Sequence, residues 1–205
     1  MRDNYINSDV VGNSINYFKK YSEMNYKEKN LVLNFFLCKN NEINSIEKLD
    51  SMFKVKIYDI EKREEVLELE QLTKENSEKY LITFNDSFSD MPHGTWLDND
   101  GLTEFLNSNS DNKYYFMVKE KEKIIGFMNC EIENNEGLFD IGLCKEYRGR
   151  GLGKRLLETA INFLNNRNVE KISLIVIEKN IIAHEMYKKR GFLKENTISY
   201  WFELE

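Results

Sequence analysis

Arg148-Gly149-Arg150-Gly151-Leu152-Gly153-Lys154 sets two arginines, one lysine and three glycines at the point where a strand pattern turns into a helical one. Upstream, Leu138-Phe139-Asp140-Ile141-Gly142-Leu143 alternates apolar with polar or small residues, which reads as a strand. Downstream, Leu152, Leu156, Leu157, Ala160, Ile161 and Leu164 recur at helical spacing, so the glycines fall at the first turn of a helix. The start of a helix offers unpaired amides and the positive end of a dipole, worth roughly 0.3–2 kcal/mol to an anion placed there. Glycine at 149, 151 and 153 removes side chains that would block a close approach, and Arg148 and Arg150 can add charge-assisted bonds. A pyrophosphate suits such a loop.

Two other phosphate binders fail on spacing. A Walker loop ends in Gly-Lys-Ser/Thr, whereas Gly153-Lys154 is followed by Arg155 and lacks the magnesium-binding hydroxyl. A dinucleotide fingerprint finds an acidic residue at about the right distance in Glu170, but its glycines are spaced differently. An ordinary strand-to-helix turn with a basic rim stays open on the loop alone. A second motif follows the strand-like run Ile172-Ser173-Leu174-Ile175-Val176-Ile177: Asn180-x-x-Ala183-x-x-x-Tyr187-x-x-x-Gly191-Phe192. Ala183 and Tyr187 share one helical face, and Gly191 ends that helix as a left-handed cap.

The two motifs, in this order and about thirty residues apart, resemble the GNAT superfamily of N-acetyltransferases. Both match in register, from about residue 113 to the C-terminus, with pattern-level support back to residue 52. The resemblance implies the acyl-CoA N-acyltransferase fold, an α/β architecture whose central mixed sheet is flanked by helices on both faces. It implies acetyl-CoA as co-substrate, with Arg148, Gly149, Arg150, Gly151, Leu152, Gly153 and Lys154 at the pyrophosphate and Asn180 and Ala183 beside the cofactor. It further implies that the strand ending at Ile141, Leu143 and Cys144 splays from its neighbour to pair with the pantetheine arm, an amide near Leu143 facing the oxyanion. Tyr187 becomes the acid that protonates the departing sulfur, a role worth roughly 10²–10⁴ in rate. Many members carry proline where Lys145 stands, so the bend into this loop is built differently.

The base follows less directly. Alternation puts Asp140 on the face opposite Phe139, Ile141 and Leu143, which makes it the leading candidate; Glu131, Glu133 and Glu136 compete. His93 and Trp96 fall in a segment read as the substrate loop, and His184 takes no role. The predicted reaction is acetyl transfer to a primary amine, on a small molecule or a protein, by direct attack in a ternary complex. The alternative is a module that binds or senses an acyl-CoA without turnover.

Bulk properties agree. A formal charge of −6 disfavours nucleic acid and suits a cationic amine. No signal peptide or membrane-spanning run is visible, which predicts a cytoplasmic protein without membrane partners, monomeric or homodimeric. Cys38, Cys130 and Cys144 lack metal or disulfide spacing, so no metal is expected.

Along the chain, Met52 to Tyr58 should open the catalytic sheet, and Val66, Leu67, Leu69 and Leu72 predict a helix after it. A loose pattern from Tyr80 to Thr103 predicts the substrate loop, then a short helix over Thr103 to Asn107. Tyr114 to Val118 and Ile124 to Ile132 predict a hairpin, Gly126 marking a bulge or close approach, and Ile198 to Leu204 closes the sheet. Residues 51–205 form the predicted acetyltransferase domain and 1–50 an appendage with helical pattern around Ile15 to Tyr21 and Leu31 to Leu37. Ser14 to Lys20 aligns with Ala183 to Lys189, so two readings stand for the appendage: the remnant of a second copy, or a helical arm.

Overall fold

The computed structural model describes residues 5–7, 48–58, 60, 66–90, 95–108 and 112–203. The helical patterns read around Ile15 and Leu31, and His93, lie outside the described residues. The chain divides into two compact units, Lys56–Leu174 and a smaller one of Met1–Val55 with Ile175–Glu205.

In the larger unit, strands β3 (Glu68–Gln71), β4 (Lys113–Glu120), β5 (Lys123–Glu133) and β6 (Glu136–Leu143) form an antiparallel meander. Parallel to β6 runs β7 (Lys171–Ile177), which reaches it through the crossover helix α3 (Leu152–Asn165), so the sheet is mixed. The β4–β5 hairpin forms as its alternation predicts, and its register shifts between Val118 and Lys119, beside Gly126. At Gly126 a Cβ would stand 2.1 Å from the Gly142 carbonyl oxygen, so the close approach expected there is what the position requires.

Helices cover both faces of this sheet. On one, α1 (Ser77–Phe88) and α2 (Asn99–Asn107) bury Tyr80, Phe84 and Leu102 against Tyr115, Met117 and Phe127. On the other, α3 puts Phe163 against Tyr114 and Phe116, with ring centroids 5.1 Å apart in both pairs, and Leu164 over Gly137. These aromatics join the buried aliphatic side chains of the sheet and of α3 in the hydrophobic core of the unit.

Two expectations need correction. The segment Glu68–Gln71 is a strand, not a helix: Leu69 pairs with Val118 across the ladder while Leu67 and Leu72 are buried at its ends. Four charge-rich residues suit a helix locally, but pairing with β4 overrides that preference. The substrate loop expected from Tyr80 also begins later, because α1 runs to Phe88. Its internal hydroxyls bond back to the preceding turn, Thr83 Oγ1 to Lys79 O at 2.7 Å and Ser87 Oγ to Thr83 O at 2.8 Å, which lets polar residues sit in a helix.

In the smaller unit, β8 (Leu193–Glu203) pairs antiparallel with β1 (Tyr5–Asn7) and neighbours β2 (Lys48–Ile57). Its helix α4 (Ile181–Arg190) ends at Gly191, whose φ of 105° makes the left-handed cap read from the sequence. No described helix is long and apolar enough to cross a membrane.

Candidate active site

The glycine loop connects the C-terminal end of β6 to α3 through one 3-10 turn, Lys145–Tyr147. Gly149 and Gly151 adopt φ of 73° and 77°, a region that other residues enter only at about 1–2 kcal/mol each. A Cβ at either would meet nothing within 4 Å, so the concave side of the loop is open. Gly151 is the N-cap of α3 and supplies no side-chain oxygen. Among the described residues, no backbone acceptor takes the N–H groups of Gly149 through Gly153. Orphan amides at the positive end of a fourteen-residue helix have the geometry that suits an anion. Lys154 and Arg150 are exposed, and the Arg150 guanidinium lies 5.6 Å from the centre of the Tyr147 ring.

Arg148 is placed differently from Arg150. Its guanidinium grips Asp90 with both carboxylate oxygens at 2.8 and 2.7 Å, and also donates to Ser87 O at 2.8 Å and Leu143 O at 3.1 Å. That bond set holds Asp90 well ionised, its carboxyl drawn below the usual range by the Arg148 hydrogen bonds. One residue before the turn's middle, the Lys145 N–H donates to Asp86 Oδ2 at 2.9 Å. The loop is therefore tied at two points to the C-terminal end of α1, where the sequence reading had both arginines facing phosphate.

Among the described residues, pairing of β6 with β7 covers Glu136–Lys171, Gly137–Ile172 and Leu138–Ser173. The stretch Phe139–Leu143, which holds Ile141 and Leu143, continues along β5. Cys144 follows, half-buried, with its thiol pushed up to about 11 by burial and then by Asp86.

Asp140 faces the α1 side of the sheet, directly opposite Asn129 on β5. Its side chain is exposed, yet dense protein around it raises its pKa to about 6, the Ile141 N–H partly opposing the rise. Together these describe a carboxylate at the floor of an open recess, wet but poorly solvated. Two of the three competing carboxylates are engaged elsewhere, Glu131 with Lys113 at 3.2 Å and Glu136 with Lys171 at 2.7 Å, while Glu133 is exposed at the end of β5. Below Asp140, the buried Tyr80 donates to Asn129 Oδ1 at 2.5 Å. Asn129 and Tyr80 were missed in the sequence, since only the strand register brings them to Asp140. Asn85 also went unread: its amide holds the Leu97 N–H at 2.9 Å and carbonyl at 2.8 Å, pinning the segment that carries the exposed Trp96.

In the smaller unit, Asn180 caps α4, its Oδ1 accepting from the Ala183 N–H at 3.3 Å. Tyr187 is buried on that helix, its ring 5.9 Å from Phe192, and His184 packs edge-on against Phe53 at 6.4 Å. Among the described residues no group of three or more histidines, cysteines or carboxylates is disposed to hold a metal.

A sequence model of the acetyltransferase (GNAT) family matches residues 68–192. The ribosomal protein bS18-alanine N-acetyltransferase of Haemophilus ducreyi is 33% identical over 100 residues, covering 48% of this chain and 63% of that one. Among solved structures, a protein of unknown function from Staphylococcus epidermidis superposes with a TM-score of 0.62 at 15% identity, covering 94% of this chain and 82% of that one. The ribosomal-protein-S18-alanine N-acetyltransferase of Escherichia coli gives 0.54 at 17% identity, covering 68% and 95%. The matched stretch spans less than two thirds of the length of the first curated relatives.

Proposed function

The chain belongs to the acetyltransferase (GNAT) family, and from that we propose that residues 51–205 move an acetyl group from acetyl-CoA to a primary amine, with 1–50 an appendage. The observation that carries the reading is the open amide row at Gly149–Gly153, lying just beyond the C-terminal end of a strand whose described ladder with β7 ends at Leu138. The first fits a diphosphate, the second an extended amide-bearing arm, and coenzyme A joins the two. Lys154 and Arg150 add charge at the diphosphate, while Arg148 holds the loop in place. When bound, acetyl-CoA supplies the thioester whose C–S bond breaks as the new C–N bond forms.

The chain's own groups handle the protons. Asp140, ionised above about pH 6, takes the proton that the amine nitrogen loses. Tyr187 gives its phenolic proton to the leaving sulfur, and an amide near Leu143 faces the carbonyl oxygen as it gains charge, the kind of preorganised donor that is often the largest catalytic term. Asn180 and Ala183, on the helix that carries Tyr187, line the cofactor, and Trp96 with His93 borders the acceptor. Transfer is direct: a Cys144 thiol at about 11 stays protonated at neutral pH and Cys130 is fully buried with its thiol raised further, so neither serves as an acyl carrier. Acceptors of the class used by the bS18-alanine enzymes, a protein α-amine, fall within this reading alongside small amines.

The test is release of coenzyme A thiol across an amine panel. Tyr187→Phe should lower kcat by about 10²–10⁴ while acetyl-CoA still binds. Full turnover in that variant removes the acid assignment, and tight acetyl-CoA binding with no amine consumed marks a sensing module instead.

A further inference from the structure

Asn129 stands directly across the ladder from Asp140, and residues so opposed hold their Cβ atoms about 4.5–5.5 Å apart. Its carboxamide is fixed from beneath. Tyr80, with no solvent exposure, donates its phenolic O–H to Asn129 Oδ1, and burial keeps that phenol protonated, with Asp140 adding to the effect. A permanent donor on the oxygen prevents the amide from flipping, because the flipped amide would set N–H against O–H. The Asn129 NH₂ then points away from Tyr80, and among the described residues it has no acceptor. Among the described residues no side chain donates to Asp140, whose charge is eased only by the nearby Ile141 N–H. A fixed pair of N–H donors and an anionic acceptor thus lie side by side on the α1 face, both unfilled.

We infer that Asn129 selects the acceptor: the site takes α-aminoacyl compounds, the amine lying against Asp140 and the adjacent neutral carbonyl oxygen against the Asn129 NH₂, with Tyr80 the positioning residue behind it. Charge decides among amines. A diamine would bring a second cation to N–H donors, and a free amino acid would bring a carboxylate beside Asp140. A neutral amide or peptide carbonyl meets neither repulsion. The inference rests on the transfer reaction proposed above.

The experiment compares alaninamide with 2-aminobutane, which lacks the carbonyl, as acceptors of acetyl from acetyl-CoA, with products read by mass. The quantity is the ratio of their kcat/KM values, compared between wild type and variant so that the amines' different basicities cancel. Asn129→Leu should lower that ratio by about three- to tenfold, chiefly through KM for alaninamide, since one hydrogen bond to a neutral group is of that size. Tyr80→Phe keeps the ring in the core and loses only the hydroxyl, and should lower the ratio about threefold. A ratio that moves less than twofold in both variants overturns the inference and leaves the transfer reaction standing. Failure of the wild type to acetylate either amine, or any in the panel, overturns the transfer reaction and this selection with it. Should Asn129→Leu fail to fold, the Tyr80→Phe ratio alone decides.

Discussion

The glycine loop and the Asp140 recess are built by opposite means. The loop is seven consecutive residues, Arg148 to Lys154, whose chemistry is backbone amides freed by glycine and aimed by a helix. The recess is Tyr80 from α1, Asn129 from β5 and Asp140 from β6, three side chains up to sixty residues apart whose chemistry exists only once the strands are in register. A local site tolerates change around it and fails at its glycines. A composite site fails wherever its register or its buried support is disturbed.

The sharpest way to break that contrast is at Gly151. Its φ of 77° is unfavourable for any other residue, and aspartate adds a negative charge facing the proposed diphosphate. Gly151→Asp should weaken acetyl-CoA binding by about 10³ or more, measured by calorimetry, while Asp140 and its neighbours keep their structure. Wild-type affinity in that variant would mean that the amide row is not the anion site.

What could be read from the chain follows the same division. The loop, the Asn180–Tyr187 helix with its Gly191 cap, the β4–β5 hairpin and the strand before the loop were legible, because glycines at fixed spacing and apolar periodicity are local signals. Asp140 was legible as a candidate through alternation alone. Tyr80 and Asn129 were not, since nothing within ten residues of either distinguishes it from a core or surface residue. The strand Glu68–Gln71 and helix Ser77–Phe88 were misread for a related reason: β3 is defined by its partner, and α1 carries Thr83, Asn85 and Ser87, whose bonds to the preceding turn or to Leu97 are invisible in composition. Arg148 was correctly placed in the loop but given a ligand's task, because its carboxylate partner Asp90 lies fifty-eight residues away.

At Asp140 the expected effect is the next largest. Asp140→Asn keeps the shape and removes the base, so kcat should fall by about 10². The wild-type kcat/KM should rise with pH up to about 6 and level off above it, and the variant should lose that limb. Stability should respond in the opposite sense. A carboxyl whose folded pKa is raised binds its proton more tightly when folded, so the stabilisation it gives is full at low pH and is lost as pH rises through about 6. Asp140→Asn should therefore melt slightly above wild type at pH 7.5 and not at pH 4. A variant less stable at both pH values would show a carboxylate held by structure rather than strained for function.

The smallest effect tests whether the two regions are coupled. Asp90 and Asp86 tie the loop to the end of α1, the helix whose other end carries Tyr80. The Asp90 and Arg148 side chains are 49% and 36% exposed, so their bond contributes no more than about 1 kcal/mol in water. Asp90→Ala should then raise KM for acetyl-CoA by no more than about fivefold, with added salt weakening wild-type binding toward the variant's value. Because Arg148 holds Asp90 ionised, that contribution is present at neutral pH and is lost in acid as pH falls through the depressed folded value. If KM for the amine moves together with KM for acetyl-CoA, then α1 transmits the loop's position to the recess. If only the acetyl-CoA value moves, the local site and the composite site work side by side on one sheet without communicating.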